Sequence, residues 1–237
     1  MKIAMSSWAR KLLFLLLMTD ICFVVFHVFF LSGSWKDLYP DPYLNPYSIE
    51  TDRGFAEFFQ YMKEYWCVLL LGLIVVKKRS PLYLSWMFLF LYILVDDFAA
   101  IHEQLGSIIS NSLGFIPMLR LRGQDFGELF VFASVGLFLL IYVGIAYRLG
   151  DSLFRKASKS LITMLFTLAL FGVLVDLLHV MAPAKLTNVM GLLEDGGEMI
   201  VISVMTTFIF VLSERVQPKS ELKDAQLIHS NSLSQNK

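Results

Sequence analysis

Residues 82–103 read LYLSWMFLFLYILVDDFAAIHE. The stretch is apolar until it closes on Asp96, Asp97, His102 and Glu103. Its length matches the roughly 20 residues an α-helix needs to cross a hydrocarbon core about 30 Å thick. Comparable runs lie at 12–31, 61–76, 126–147, 160–182 and 190–212. Lipid offers no hydrogen bonds, so a spanning segment must satisfy its own backbone, as a helix does. No alternating ten-residue segments of a β-barrel are visible. The expected fold class is therefore all-α: a polytopic membrane protein with six transmembrane helices in one bundle over residues 1–215.

Composition agrees. Of 237 residues, 57% are hydrophobic and only 17% charged, with a mean hydropathy of +0.64. That is too little polar surface for a soluble domain. Lys+Arg and Asp+Glu both number 20, so no basic excess points to nucleic acid. Cys22 and Cys67 sit inside apolar runs without metal or redox spacing, which suits structural thiols.

Bases mark alternate connections. Lys2, Arg10 and Lys11 precede the first run, and Lys77, Lys78 and Arg79 follow the second. Arg148, Arg155, Lys156 and Lys159 follow the fourth, and Arg215, Lys219 and Lys223 follow the sixth. The positive-inside rule places these in the cytoplasm, giving N-in/C-in topology. The first run has Asp20 and His27 and no clean small-x-small cleavage site, so a retained span is expected rather than a signal peptide. Trp35, Tyr39, Tyr43 and Tyr47, among Pro40, Pro42 and Pro46, suit an outer loop in the headgroup layer. Residues 55–66 read as an interfacial approach to the second span. Residues 216–237 read as a disordered cytoplasmic tail. The setting this implies is a bacterial inner or plasma membrane.

Topology then gathers the ionisable residues. Odd spans run outward and end in Asp96, Asp97, His102 and Glu103, and in Asp176 and His179. Even spans run inward and begin with Glu128, and with Glu194, Asp195 and Glu198. All therefore fall at one depth, the outer leaflet. Asp96 and Glu103 are spaced to share a helix face, as are Asp176 and His179. Such groups cost roughly 2.5–3.5 kcal/mol each at the bilayer centre, so they ask for a purpose. The nearby cations are Arg120 and Arg122, with Lys63 and Lys185. Some acids must then be protonated, paired or bound to a cation.

One expectation is a metal centre of Zn, Fe or Mn. Its ligands would be His102, Glu103, Asp176, His179, Glu194 and Glu198, with Glu128 and Asp97 as catalytic groups. A metal there would serve an enzyme acting on a lipid-like substrate. The alternative is a cation- or proton-responsive sensor or transporter without catalysis. The inner halves of the spans look apolar, which favours a one-sided pocket over a through-pathway. Interfacial charge is the plain reading for Glu128 and Glu194, at helix starts, but not for Asp96, Asp97 or Asp176 near helix ends. His27 reads as a packed histidine, and Asp20 as the partner of a Lys or Ser elsewhere.

Overall fold

A computed structural model describes residues 5–32 and 45–216. The expectations for Trp35, Tyr39, Tyr43, Pro40, Pro42 and the 217–237 tail fall outside the described residues. The elements are α1 (Ser7–Ser32), α2 (Phe55–Lys78), α3 (Tyr83–Ala99), α4 (Ile101–Leu113), α5 (Gly123–Leu149), α6 (Ser152–Ala169), a π-helical turn (Leu170–Val175), α7 (Asp176–Met181) and α8 (Thr187–Arg215). Five helical segments are long and apolar enough to cross a membrane. The bent pair of α3 and α4 passes the same test when taken together, for five to six such segments. The chain is an all-α polytopic membrane bundle.

The basic connections meet at one end. There Ser6 donates to Glu214, Lys77 reaches the Ser213 carbonyl, and Lys78 pairs with Asp151 at 2.5 Å. Asp151 also caps α6 by accepting from the Phe154 amide. Burial works to raise the Asp151 pKa, but Lys78 and the capped amides outweigh it and hold this carboxyl below its usual range. We call this the inner end, following the positive-inside rule.

Helix α8 is the axis, packed by α1, α2, α6, α7 and the π-turn. The apolar core fills the inner half, with Leu71, Ile74, Trp86, Phe90, Phe154, Leu161, Ile202, Met205 and Ile209 all buried. Trp86 donates its indole N–H to Ser158 at 2.9 Å, so this core leaves that polar atom satisfied. Exposed Phe14, Val25, Phe138, Ile145 and Phe166 form outward faces that need lipid.

Three local features depart from the sequence expectation. The third span does not run unbroken to residue 103, because the chain turns 74° between α3 and α4. Ala100 takes the left-handed region at φ 49°, which ends α3. Asp96 and Glu103 therefore do not share one helix face. Residues 55–66 are not an interfacial approach but the first turns of α2, and they carry buried Gln60, Lys63 and Glu64. The fifth span is interrupted by the π-turn, which sequence periodicity does not announce.

Candidate functional site: a paired carboxylate chamber

The outer half holds the polar side chains in three linked groups. The first sits at the α3/α4 break. Asp96 accepts from the His102 backbone amide at 2.9 Å and lies 3.1 Å from His102 Nδ1. An acid at the end of α3 thus becomes the cap of α4, which resolves its unfavourable place in the α3 dipole. Glu128 lies near His102 and accepts from Gln124 at 2.7 Å. Glu103 points outward and is exposed. Asp125 is occupied by Arg122, whose amide and guanidinium both donate to it. Helices α4 and α5 close on each other where Gly127 meets Gly106. A Cβ on Gly127 would lie 2.0 Å from the Gly106 carbonyl oxygen.

The second group is on α7, α8 and the first outer loop. His179 Nδ1 stands 2.7 Å from Glu194 Oε2, and Asp176 adjoins the same carboxyl. Glu50 faces His179 and lies 3.8 Å from His27 Nε2. The Ile49 amide donates to His27 Nδ1, so the ring proton belongs on Nε2, toward Glu50. Burial pushes the Glu50 carboxyl pKa above its usual range, with His179 partly opposing. His27 is packed under this loop, fully buried against Ser48.

The third group lies deepest. Glu64 is 0% exposed, and neither of its carboxylate oxygens meets a donor. Its carboxyl faces that of Asp97 on α3, with Glu198 of α8 close by. Gln60 donates to Glu198 Oε2 at 3.1 Å. The other oxygen of Glu198 reaches the π-turn, where a Cβ on Gly172 would come within 2.0 Å of it. Asp195 lies among the charges of Glu194, Glu198, Glu50 and Glu57. Helix α8 thus joins the second group to the third through Glu194, Asp195 and Glu198.

Beside this chamber Lys63 turns away. Its Nζ donates to Asp20 Oδ1 at 2.9 Å, the Met199 carbonyl at 2.9 Å and Ser203 Oγ at 3.2 Å. Ser203 donates to Asp20 Oδ2 at 2.5 Å. At 1.5 Å rise per residue this triad lies roughly 12 Å below the start of α2. Asp20 therefore does pair with a Lys and a Ser.

The candidate residues consequently fall into separate small groups. His179, Glu194 and Asp176 adjoin, Glu198 and Asp97 adjoin through Glu64, and His102 and Glu128 lie across the α4/α5 contact. Among the described residues, no three His, Cys, Asp or Glu side chains are arranged to hold a metal ion. Sequence reasoning missed Glu64, Gln60 and Glu50 as parts of the chamber. The signal was present in Gln60, Lys63, Glu64, Cys67, Leu71 and Ile74, which repeat at helical spacing along one buried face of α2.

Residues 15–212 match the family described as "Domain of unknown function (DUF8692)", and the chain belongs to that family. No curated protein and no solved structure matches it.

Proposed function

We propose that this protein is a proton-responsive membrane sensor whose outer chamber takes up and releases protons. The observation that carries the reading is Glu64, buried, without a donor, and set against Asp97 and Glu198. Ionised carboxylates carry only acceptors, so adjoining carboxyls hydrogen-bond only when one holds a proton. The Asp176/Glu194 contact repeats that arrangement nearer the surface. Lys63 does not neutralise the chamber, because its donors are spent on Asp20, Ser203 and Met199.

A one-sided sensor fits better than a transporter. Below the triad Leu71, Ile74, Met205 and Ile209 are all at 0% exposure, and the buried hydroxyls of Thr206 and Thr207 are spent on backbone carbonyls, so the described residues offer no continuous polar route inward. A metal-dependent enzyme acting on a lipid-like substrate needs donors converging on an ion. Among the described residues no three such side chains converge in that way. The location this reading favours is a plasma membrane or bacterial inner membrane, whose outer face meets changing pH.

The test is labelling of purified protein with dicyclohexylcarbodiimide, an apolar reagent that reacts with protonated carboxyls. Glu64 should label at acidic and neutral pH, less at alkaline pH, and not at all in Glu64→Gln. Absence of labelling at Glu64 at every pH would sink the proposal.

A further inference from the structure

Lys63 and Glu64 are neighbours in α2 that serve different helices. Lys63 holds α1 through Asp20, and Glu64 meets α3 through Asp97. We infer that proton loss from the Glu64/Asp97 pair draws Lys63 away from Asp20 and frees α1, making α1 the moving output of the sensor. This rests on the proton-responsive reading and adds how the signal leaves the chamber.

The charges around the pair leave few alternatives. Glu64 is faced by Asp97 from α3, Glu198 from α8, and Lys63 and Tyr61 from its own helix. Asp97 is faced in turn by Asp96, His102 and Tyr92, by Glu57 and Tyr61 of α2, and by Glu198 of α8. Lys63 is faced by Asp20 from α1, by Glu64 and Cys67 on α2, and by Ser203 and the Met199 carbonyl of α8. With one proton on the Glu64/Asp97 pair, Asp20 is the better-placed partner, as observed. Without it, a second negative charge appears one residue from Lys63 in a medium that screens poorly.

The consequence falls on α1. Asp20 is 2% exposed, and with Lys63 withdrawn it keeps, among the described residues, only the Ser203 hydroxyl. A buried carboxylate so placed is strongly disfavoured, and the relief is movement of its helix toward solvent or lipid. Helix α1 packs on α8 and turns Phe14, Val25 and Phe26 away from the bundle. Among the described residues its other polar ties to the rest of the chain lie near its ends, Ser6 to Glu214, and His27 to Ser48, Ile49 and Glu50.

The experiment places spin labels on native Cys22, exposed on α1, and on a cysteine introduced at exposed Val76 of α2. Cys67 is buried and stays unlabelled. Distances are read by pulsed electron resonance in lipid nanodiscs at acidic and alkaline pH, beside carbodiimide labelling of the same samples. The expected result is a shift of about 2 Å or more between the two pH values. Glu64→Gln should hold the acidic distance at both pH values, and Asp20→Asn, which removes the carboxylate that drives the movement, should abolish the shift. If Glu64 loses its label at alkaline pH while the distance stays fixed, α1 is not the output and the inference fails alone. A shift that persists in Glu64→Gln also overturns it. If Glu64 never labels, the proton-responsive reading fails with it.

Discussion

Lys63 and Glu64 are adjacent and both fully buried, yet one has every donor satisfied while the other has both acceptors unmet. Helix geometry produces the contrast, because successive side chains point about 100° apart. Lys63 therefore enters the α1/α8 seam and Glu64 enters the seam with α3. The two seams have opposite needs. One holds a matched ion pair, the other an excess of acid.

Removing one member of the matched pair should be costly. Lys63→Met leaves Asp20 buried and unpaired, with an expected loss of about 3–5 kcal/mol. The double variant Asp20→Asn/Lys63→Met should recover most of that loss, since no lone charge remains. Thermal unfolding in detergent measures both. Equal instability of the single and double variants would count against the pairing.

Glycine at the α4/α5 contact is required by space. Gly127→Ala drives a methyl into the Gly106 carbonyl, where the backbone cannot yield easily, at an expected cost of about 1–3 kcal/mol. Gly136→Ala on the same helix meets nothing within 4 Å and should be neutral or stabilising by up to about 1 kcal/mol. The paired melting curves provide their own control.

Across the α3/α4 break, Asp96 holds both the amide and the ring of His102. Asp96→Ala should cost about 1–3 kcal/mol through the unmet donors. Hydrogen exchange should quicken first at Ile101, His102 and Glu103, where α4 begins. Asp96→Asn keeps an acceptor for the amide and should show the smaller change.

Glu50 supplies a pH dependence. Burial raises its folded pKa, so its ionised form is the one the fold disfavours. Its contribution to stability is then greatest below the ordinary glutamate range and declines as pH rises through that range toward the raised value. Glu50→Gln removes this slope. The variant should match the parent at acidic pH and melt higher at neutral pH. A parent that gains on the variant as pH rises would reverse the sign and refute the assignment.

Much of the fold was legible in hydropathy and in the bases. The runs and their alternating Lys/Arg connections are local signals, and lipid enforces them on each span separately. The sequence also gathered Asp97, Asp176, Glu194 and Glu198 toward the end of the bundle opposite the basic connections, because that follows from the order of the spans. It did not show how they pair, since pairing depends on helix rotation and crossing. The break at Ala100 was hidden because nothing in Phe98–Ala99–Ala100–Ile101 forbids a helix. The Asp96-to-His102 clamp straddles the break, and the close approach of Gly106 to Gly127 on α5 holds α4 in its turned direction. Glu64 was read as interfacial because a carboxylate near a span start ordinarily is. The helical spacing of Gln60, Lys63, Glu64, Cys67, Leu71 and Ile74 marks a buried face, and the packing of α3 and α8 against it seals Glu64 inside.

The central claim is that the buried acids hold protons under ordinary conditions. Infrared difference spectroscopy of the protein titrated in lipid reads this directly, through the carbonyl stretch of a protonated carboxyl. A protonated-carboxyl band should be present at neutral pH, bleach on alkalinisation, and lose intensity in Glu64→Gln. A spectrum at neutral pH with only ionised carboxylate bands, identical in parent and Glu64→Gln, would contradict the account.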